Sequence, residues 1–127
     1  MSGRLSSRSR ARLVGVHPAL AAVVEAAIAR SAVDFIVTEG LRTPERQAAL
    51  VRAGASRTLK SRHLSGHAVD VAALVEGRVR WDWPLYGRIA EAFKAAAQAL
   101  DTPIVWGGDW PTLRDGPHFE LDRRTFP

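Results

Sequence analysis

The chain has 127 residues, of which 46% are hydrophobic and 24% are charged. That length suits a single domain with one core, and that composition excludes a disordered chain. The absence of cysteine excludes disulfide bonds, thiolate metal ligands and a cysteine nucleophile, so any metal ion must be held by histidine and carboxylate side chains. We therefore expect residues 1–127 to form one domain.

Positive charge outweighs negative charge, with 18 lysines and arginines against 13 aspartates and glutamates and a net charge of +5. The arginines crowd near both ends of the chain, as Arg4, Arg8, Arg10, Arg12, Arg123 and Arg124. This balance favours anionic partners, such as nucleic acid or a bacterial envelope. From charge alone, it is equally well explained as a means of keeping the protein soluble. The longest apolar run, LAAVVEAAIA, is too short to span a bilayer, and no apolar segment typical of a secretory signal follows the N-terminal arginines. We predict a chain that is made in the cytoplasm and has no transmembrane helix.

The first half of the chain predicts a short N-terminal turn, two helices and a strand. Serines at positions 6, 7 and 9 can cap the turn. HPALAAVVEAAIARS then places Pro18 at a first helical position, with apolar residues at helical spacing through Ile28. DFIVTEG is rich in β-branched and aromatic residues and predicts a strand that ends near Gly40. RTPERQAALVRAG predicts a helix that is capped by Thr43 and closed by Gly54.

The second half predicts a loop, several short strands and one further helix. Residues 55–68 are polar and predict a loop, and VDVAALV predicts a strand from Val69 onward. A turn at Glu76 and Gly77 leads to RVRWDWP, which we expect to continue the sheet before Pro84 opens the helix LYGRIAEAFKAAAQAL. IVWGG and HFELD predict two more strands. A small sheet with helices packed against it makes α+β the expected fold class.

The stretch SRHLSGHAVD concentrates residue types that bind metal ions. His63 and His67 are four residues apart, as on a zincin helix, but the glycine and serines around them disfavour a helix, and a leucine occupies the position of the zincin glutamate. On a helix, His63 and Asp70 would be too far apart to share one ion, so they can share it only if the chain bends between them. Gly66 permits such a bend.

A third ligand has to come from elsewhere, and the other histidines are His17 and His118. His17 precedes Pro18 and is better interpreted as a residue at a helix boundary. His118 begins a predicted strand three residues after Asp115, and an acid so close to a ligand is well placed to act on water that a metal activates. From the residues alone, an ordinary histidine at a strand end is an equally good interpretation of His118.

The motif S-x-H-x-x-G-x-A-x-D, followed much later by D-x-P-H-F, resembles the zinc peptidases of the D-alanyl-D-alanine carboxypeptidase and L-alanyl-D-glutamate endopeptidase family. In this chain the two motifs consist of Ser61, His63, Gly66, Ala68, Asp70, Asp115, Pro117, His118 and Phe119. SRSRARLVGVHPAL, GLRTPERQ and WGGDW resemble the bacteriophage endolysin branch of that family and extend the match to nearly the whole chain. The resemblance implies a hedgehog or D-Ala-D-Ala-peptidase-like fold with a small antiparallel sheet.

The resemblance also implies a role for each residue of the site. The implied ligands of one Zn²⁺ ion are His63, Asp70 and His118. His67 is left as a loop residue near the site. Asp115 would be the general acid and base, and Arg42 would neutralise negative charge on the substrate carbonyl or bind a substrate carboxylate. Ser61 is expected to orient the ligand loop through a hydrogen bond.

Aromatic and acidic residues near the motifs each have two interpretations. Trp106 and Trp110 are candidates for the walls of a substrate cleft, although aromatic residues at strand ends more often fill a core. Glu39 and Glu120 lie beside the motifs and are candidates for supporting the ligands. An ion pair with Arg42 is the simpler interpretation of Glu39.

The predicted activity is that of a phage endolysin, the zinc-dependent hydrolysis of the L-alanyl-D-glutamate bond of peptidoglycan stem peptides, which causes host cell lysis. A D-alanyl-D-alanine carboxypeptidase or dipeptidase is the alternative within the family. A non-catalytic module that binds cell wall or nucleic acid is the alternative of another class. Asp115 beside a full ligand set argues against a non-catalytic wall module, and the terminal position of the arginines argues against nucleic acid.

The same interpretation sets the expected location and partners. Without an export signal, the enzyme would wait in the host cytoplasm until a separate permeabilising protein lets it reach the cell wall. The basic termini are expected to bind anionic outer-membrane lipid or wall polymer. We expect a monomer with no specific nucleic-acid partner.

Overall fold

The computed structural model describes residues 3–127, and its helices and strands confirm the predicted α+β class. The helices are α1 (Ser7–Arg12), α2 (Pro18–Arg30), α3 (Pro44–Arg52) and α4 (Trp83–Ala99). The strands are β1 (Asp34–Glu39), β2 (Ala68–Val75), β3 (Arg78–Arg80), β4 (Ile104–Trp106) and β5 (His118–Leu121), and 3-10 helices cover Arg62–Ser65 and Gly107–Asp109. Within residues 3–127, no helix has the length and apolar character needed to cross a membrane.

The ends of the helices follow from the capping residues that the sequence predicts. The side chains of Ser6 and Thr43 each accept a hydrogen bond from a backbone N–H in the first turn of α1 and α3. Pro18 is the first residue of α2, where its missing N–H costs nothing. Gly54 follows the end of α3 with a φ of +77°, a left-handed conformation that glycine adopts easily.

The segment between His63 and Asp70 contains more structure than the loop that the sequence predicts over residues 55–68. A 3-10 helix begins after Ser61, whose side chain accepts a hydrogen bond from the His63 N–H. Gly66, with a φ of +74°, ends this helix and turns the chain into β2. The bend that the sequence required for a shared metal ion is therefore present at the predicted residue.

The hairpin after β2 is shorter than predicted. Glu76 and Gly77 form the expected turn, both with positive φ. RVRWDWP leaves the sheet after Arg80, because Asp82 is already the N-cap of α4, and Trp81 stacks on Tyr86 in the first turn of that helix. IVWGG is likewise a strand only over its first three residues, since its two glycines start a 3-10 helix.

The five strands form one antiparallel sheet in the order β1-β2-β5-β4, with β3 paired to the C-terminal end of β2. Toward the N-terminal end of β2, Asp70 lies opposite Glu39 of β1 and opposite His118 of β5. The β1–β2 register shifts just before Glu39, a bulge of the kind that redirects a side chain beside a site. Residues opposite each other on antiparallel strands point to the same face, so Asp70 and His118 share one face of the sheet.

The other face of the sheet forms the hydrophobic core with α4, and α2 packs against α4. Phe119 of β5 stacks on Phe93 of α4 with ring centroids 3.8 Å apart. Alternation along β5 sends Phe119 and Leu121 into this core and sends His118 and Glu120 to the opposite face. Burial of the apolar residues thereby fixes the face on which the ionisable residues stand.

Helix α1 covers the outer edge of β1. The Val37 N–H donates to the Ser9 hydroxyl at 3.0 Å, and Arg12 Nη1 donates to the Val37 carbonyl at 2.9 Å. These bonds satisfy the peptide groups that an edge strand would otherwise present to another chain. Arg12, one of the terminal arginines, therefore has a structural role.

Replacing Gly66 by alanine is expected to lower the free energy of unfolding by roughly 2–4 kcal/mol. A Cβ at this position would lie 2.4 Å from the Gly15 carbonyl oxygen, and the φ of +74° is unfavourable for a residue with a side chain. Gly54→Ala is the matched control, because Gly54 has a φ of +77° but no atom within 4 Å of the added Cβ. The control should lose only about 1 kcal/mol. Equal losses for the two variants in urea unfolding would contradict this account of the bend.

Candidate metal centre and active site

Three side chains converge toward the N-terminal end of β2, and they are the predicted metal ligands. His63 Nε2 lies 3.3 Å from one Asp70 carboxylate oxygen, and His118 Nδ1 lies 3.2 Å from the other. One ligand atom from each residue lies within 4.8 Å of the others. The β2–β5 register places Asp70 beside His118, and the bend at Gly66 brings His63 to them.

Each histidine is oriented by a hydrogen bond on the ring nitrogen that faces away from Asp70. His63 Nδ1 donates to the Gly40 carbonyl at 2.9 Å, which leaves the Nε2 lone pair facing the group. His118 Nε2 donates to Glu120 at 2.8 Å, so Nδ1 is the nitrogen available to a metal. Metal-binding histidines usually have such an outer partner. Two imidazole nitrogens and one carboxylate oxygen form a donor set that fits the three protein ligands of a catalytic zinc site.

The loop that carries His63 is fixed at its backbone. The Ser61 hydroxyl accepts from the His63 N–H at 3.1 Å, which is the hydrogen bond expected of Ser61. The Arg42 N–H donates to the His63 carbonyl at 3.0 Å. These bonds join the ligand loop to the segment that follows β1.

The charge of each residue in this group depends on its neighbours. Burial opposes ionisation of Asp70, but hydrogen bonds from His118 and His63 outweigh it and hold the pKa of Asp70 well below its ordinary value. Burial also disfavours the charged form of His118, yet Asp70 and Glu120 raise the pKa of His118 to about 9. In the metal-free protein at neutral pH, His118 is therefore protonated between two carboxylates.

Asp115 lines the same cleft, on the turn that leads into β5. Its N–H donates to the Gly107 carbonyl at 3.0 Å, and its carbonyl accepts from the His118 N–H at 3.2 Å. Gly107 allows this approach, because a Cβ there would lie 2.4 Å from the Asp115 carbonyl oxygen. Burial, and then the negative charge of Asp70, raise the pKa of Asp115 above its ordinary value. A carboxyl group whose pKa is raised toward neutrality is suited to proton transfer.

Arg42 is buried beside the ligands, with 8% of its side chain exposed. Its Nε donates to Glu39 at 3.0 Å, the ion pair that the sequence suggested, and its Nη2 lies 3.6 Å from Asp70. Its Nη1 donates to Gln47 at 2.7 Å. Gln47 closes the GLRTPERQ segment, and no periodicity of the sequence distinguishes it from the exposed polar residues around it.

A cleft of about 380 Å³ lies over the ligand group. Trp110 lines it, with its ring centroid 5.1 Å from that of His118. Trp106 is only 9% exposed and lies in the core, where its indole N–H donates to the Gly116 carbonyl at 2.7 Å. The interpretation as a cleft wall therefore fits Trp110, whereas Trp106 supports the turn that carries Asp115.

His67 and His17 lie together outside the ligand group. His67 Nδ1 is 2.6 Å from the Ser65 hydroxyl, and its ring centroid is 5.5 Å from that of His17. His17 Nδ1 accepts from the Ala19 N–H and caps α2, the boundary role predicted for it. The group able to hold a metal among residues 3–127 includes neither of them.

Comparisons with known proteins agree over nearly the whole chain. A family model described as phage L-alanyl-D-glutamate peptidase matches residues 1–126. The L-alanyl-D-glutamate peptidase of Escherichia phage T5 is 31% identical over 130 residues, which cover 99% of this chain and 94% of that protein. The crystal structure of the Serratia marcescens L-Ala D-Glu endopeptidase ChiX matches with a TM-score of 0.93 and 51% identity, over 98% of this chain and 93% of that chain.

A more distant structure supports the predicted fold. The vancomycin resistance D,D-dipeptidase VanXYg matches with a TM-score of 0.55 and 18% identity, over 84% of this chain and 50% of that chain. At that identity the likeness concerns the fold alone. It confirms the D-Ala-D-Ala-peptidase-like architecture that the sequence motifs implied.

Binding of one zinc ion to the metal-free protein at pH 7 is expected to release about one proton. The pKa of His118 is about 9, so its Nδ1 carries a proton at pH 7 that it must lose to bind the ion. The part of the release that comes from His118 should therefore decline as the pH rises through 9. Titration calorimetry in buffers of different ionisation enthalpy measures it.

The variant Glu120→Gln provides the control for this measurement. It removes one of the two carboxylates that raise the pKa of His118, so the proton release from His118 should decline at a lower pH than in the parent chain. Zinc binding by the parent chain without proton release at pH 7 would contradict the assignment of His118.

Proposed function

The chain belongs to the phage L-alanyl-D-glutamate peptidase family, and we propose that it is a zinc-dependent endopeptidase that hydrolyses the L-alanyl-D-glutamate bond of peptidoglycan stem peptides. One observation carries the proposal: His63, Asp70 and His118 lie close enough together to hold one metal ion, in the same cleft as Asp115 and Arg42. A zinc ion held there would supply a Lewis acid that polarises the scissile carbonyl and lowers the pKa of water.

The residues of the chain then have complementary roles in hydrolysis. Water adds to the alanyl carbonyl carbon while Asp115 accepts its proton. Asp115 returns that proton to the glutamate nitrogen as the C–N bond breaks, which leaves a carboxylate and an amine. The Arg42 guanidinium provides a fixed positive charge for the carbonyl oxygen or for a substrate carboxylate. Trp110 covers one side of the cleft beside His118.

The choice of bond rests on the relatives. The phage T5 protein and the Serratia structure, both similar to this chain over nearly their full lengths, are named for the L-alanyl-D-glutamate bond. The D,D-dipeptidase VanXYg shares the fold at 18% identity, so D-alanyl-D-alanine hydrolysis is the weaker candidate. A non-catalytic module is disfavoured, since Asp115 and Arg42 accompany a full set of ligands.

The proposal includes the setting in which the enzyme acts. We infer that it waits in the host cytoplasm, is released by a separate permeabilising protein, reaches the cell wall and acts as a monomer. Two of the terminal arginines are engaged within the protein, since Arg12 bonds to Val37 and Arg124 pairs with Asp122. Arg8 is thus the better candidate for contact with anionic lipid, and unchanged binding of Arg8→Gln to anionic vesicles would argue against that contact.

Replacing Asp115 by asparagine is expected to lower kcat by about 10²–10⁴-fold while zinc remains bound, because the side chain keeps its shape but loses its proton-transfer function. The measurement is digestion of purified peptidoglycan, with new termini identified by mass spectrometry and bound metal determined in each protein. Asp101→Asn is the matched control at the end of α4, and His67→Ala tests a histidine outside the ligand group. Both should keep zinc and activity.

The products decide between the candidate functions. New amino termini on D-glutamate are expected from the parent chain. Release of D-alanine would establish the carboxypeptidase or dipeptidase alternative instead. A zinc-loaded parent chain that binds peptidoglycan without cleaving it would establish the binding module.

A further inference from the structure

Gln47 is a fully buried polar residue in α3, a helix that is otherwise exposed or half-buried. Glutamine on a surface helix normally faces water, and a buried amide is costly unless its hydrogen bonds are satisfied. This side chain points beneath the cleft, toward Arg42. A specific role, beyond the packing of α3, is therefore expected for it.

The amide of Gln47 makes three hydrogen bonds, which use both N–H donors and its oxygen. Its Oε1 accepts from Arg42 Nη1 at 2.7 Å, and its Nε2 donates to the Thr58 carbonyl at 2.6 Å and to the Ser56 hydroxyl at 2.8 Å. The orientation is unambiguous, because a guanidinium only donates and a carbonyl only accepts. One side chain thus connects Arg42 to the Ser56–Thr58 segment, whose two end residues line the cleft.

Arg42 depends on this contact for its orientation. Glu39 accepts from its Nε but is shared with Arg46, whose Nε lies 3.6 Å from the same carboxylate oxygen. Gln47 fixes the Nη1 atom of the guanidinium, and Nη2 is left on the side of Asp70. Because the amide is neutral, it holds the guanidinium without adding another carboxylate to the one that Glu39 already provides.

We propose that Gln47 is a positioning residue of the hydrolytic reaction, which holds the Arg42 guanidinium toward the cleft and ties the Ser56–Thr58 wall to it. This inference rests on the proposed function, in which Arg42 contacts the substrate. Gln47 itself is buried beneath the cleft and acts through Arg42. Reactions that depend on a positioned group are sensitive to displacements of about 1 Å.

The test is a double-mutant cycle between Gln47→Leu and Arg42→Ala, assayed on a soluble peptide that contains the L-alanyl-D-glutamate bond. Leucine is similar in size to glutamine but makes no hydrogen bond. In the parent chain, Gln47→Leu should lower kcat by about 100-fold and change KM by less than about 3-fold. In the Arg42→Ala background it should lower kcat by less than about 3-fold, since the group that it positions is absent.

Two further variants and one structural measurement accompany the cycle. Gln98→Leu makes the same substitution on the exposed side of α4 and should leave activity unchanged. Gln47→Met retains the length of the side chain and replaces Gln47→Leu if the latter does not fold. Amide hydrogen exchange across Ser56–Thr58 should accelerate in the Gln47 variants and remain unchanged in Gln98→Leu.

The outcomes separate this inference from the function on which it rests. Equal losses of kcat in both backgrounds would show that Gln47 acts independently of Arg42 and would overturn the inference. An unchanged kcat in Gln47→Leu would overturn it as well. Failure of the parent chain to cleave the peptide would instead overturn the proposed function.

Discussion

The register of β2 against its two neighbours is the constraint on which the site depends. It places Asp70 opposite Glu39 on one side and opposite His118 on the other. A slip of one residue would send Asp70 into the core and an apolar neighbour into the site, because side chains alternate between faces along a strand. The apolar residues of β2 and β5 resist such a slip, since Val69, Val71 and Phe119 are fully buried on the other face. The hydrophobic core therefore determines where the ionisable residues meet.

The free-energy cost of burying these charged groups together is offset by hydrogen bonds between them. Asp70 contacts both histidines and faces Arg42, while Glu120 holds the far side of the His118 ring. Buried charges are tolerated when they are paired and hydrogen-bonded, and removal of one partner leaves the others uncompensated. The network is therefore better understood as a means of orienting groups for chemistry than as a source of stability. A bound divalent cation would also be paired with opposite charge, since it would replace the proton held between His118 and Asp70.

Local signals in the sequence were sufficient for the parts of the fold that local interactions determine. Thr43, Pro18 and Pro84 predicted three of the four helices, and β-branched and aromatic residues predicted most strands. The first helix, α1, was expected only as a capped turn, and Gly66 permitted the bend. The second half of RVRWDWP differs from the expected strand, because Asp82 is already the N-cap of α4 and Trp83 is its first residue. The convergence of the three ligands came from resemblance to a family, since spacing alone left the role of His118 open.

Contacts between distant segments were beyond the reach of the sequence pattern. Gln47 lies within a polar helix, and only the assembled fold shows that it faces Arg42 and the Ser56–Thr58 wall. Trp106 and Trp110 are alike in sequence as aromatic residues near a glycine-rich loop, yet one fills the core and the other lines the cleft. Such distinctions arise from packing, which a periodicity along the chain does not encode.

The most direct test of the account is anomalous diffraction at the zinc absorption edge, from crystals of the protein grown with one equivalent of zinc. The account predicts one strong peak, about 2 Å from His63 Nε2, His118 Nδ1 and a carboxylate oxygen of Asp70. Asp115 and Arg42 should face the open side of that ion. A peak at His17 and His67, or occupancy of the cleft by no metal at all, would contradict the central claim that this strand register builds a zinc peptidase site.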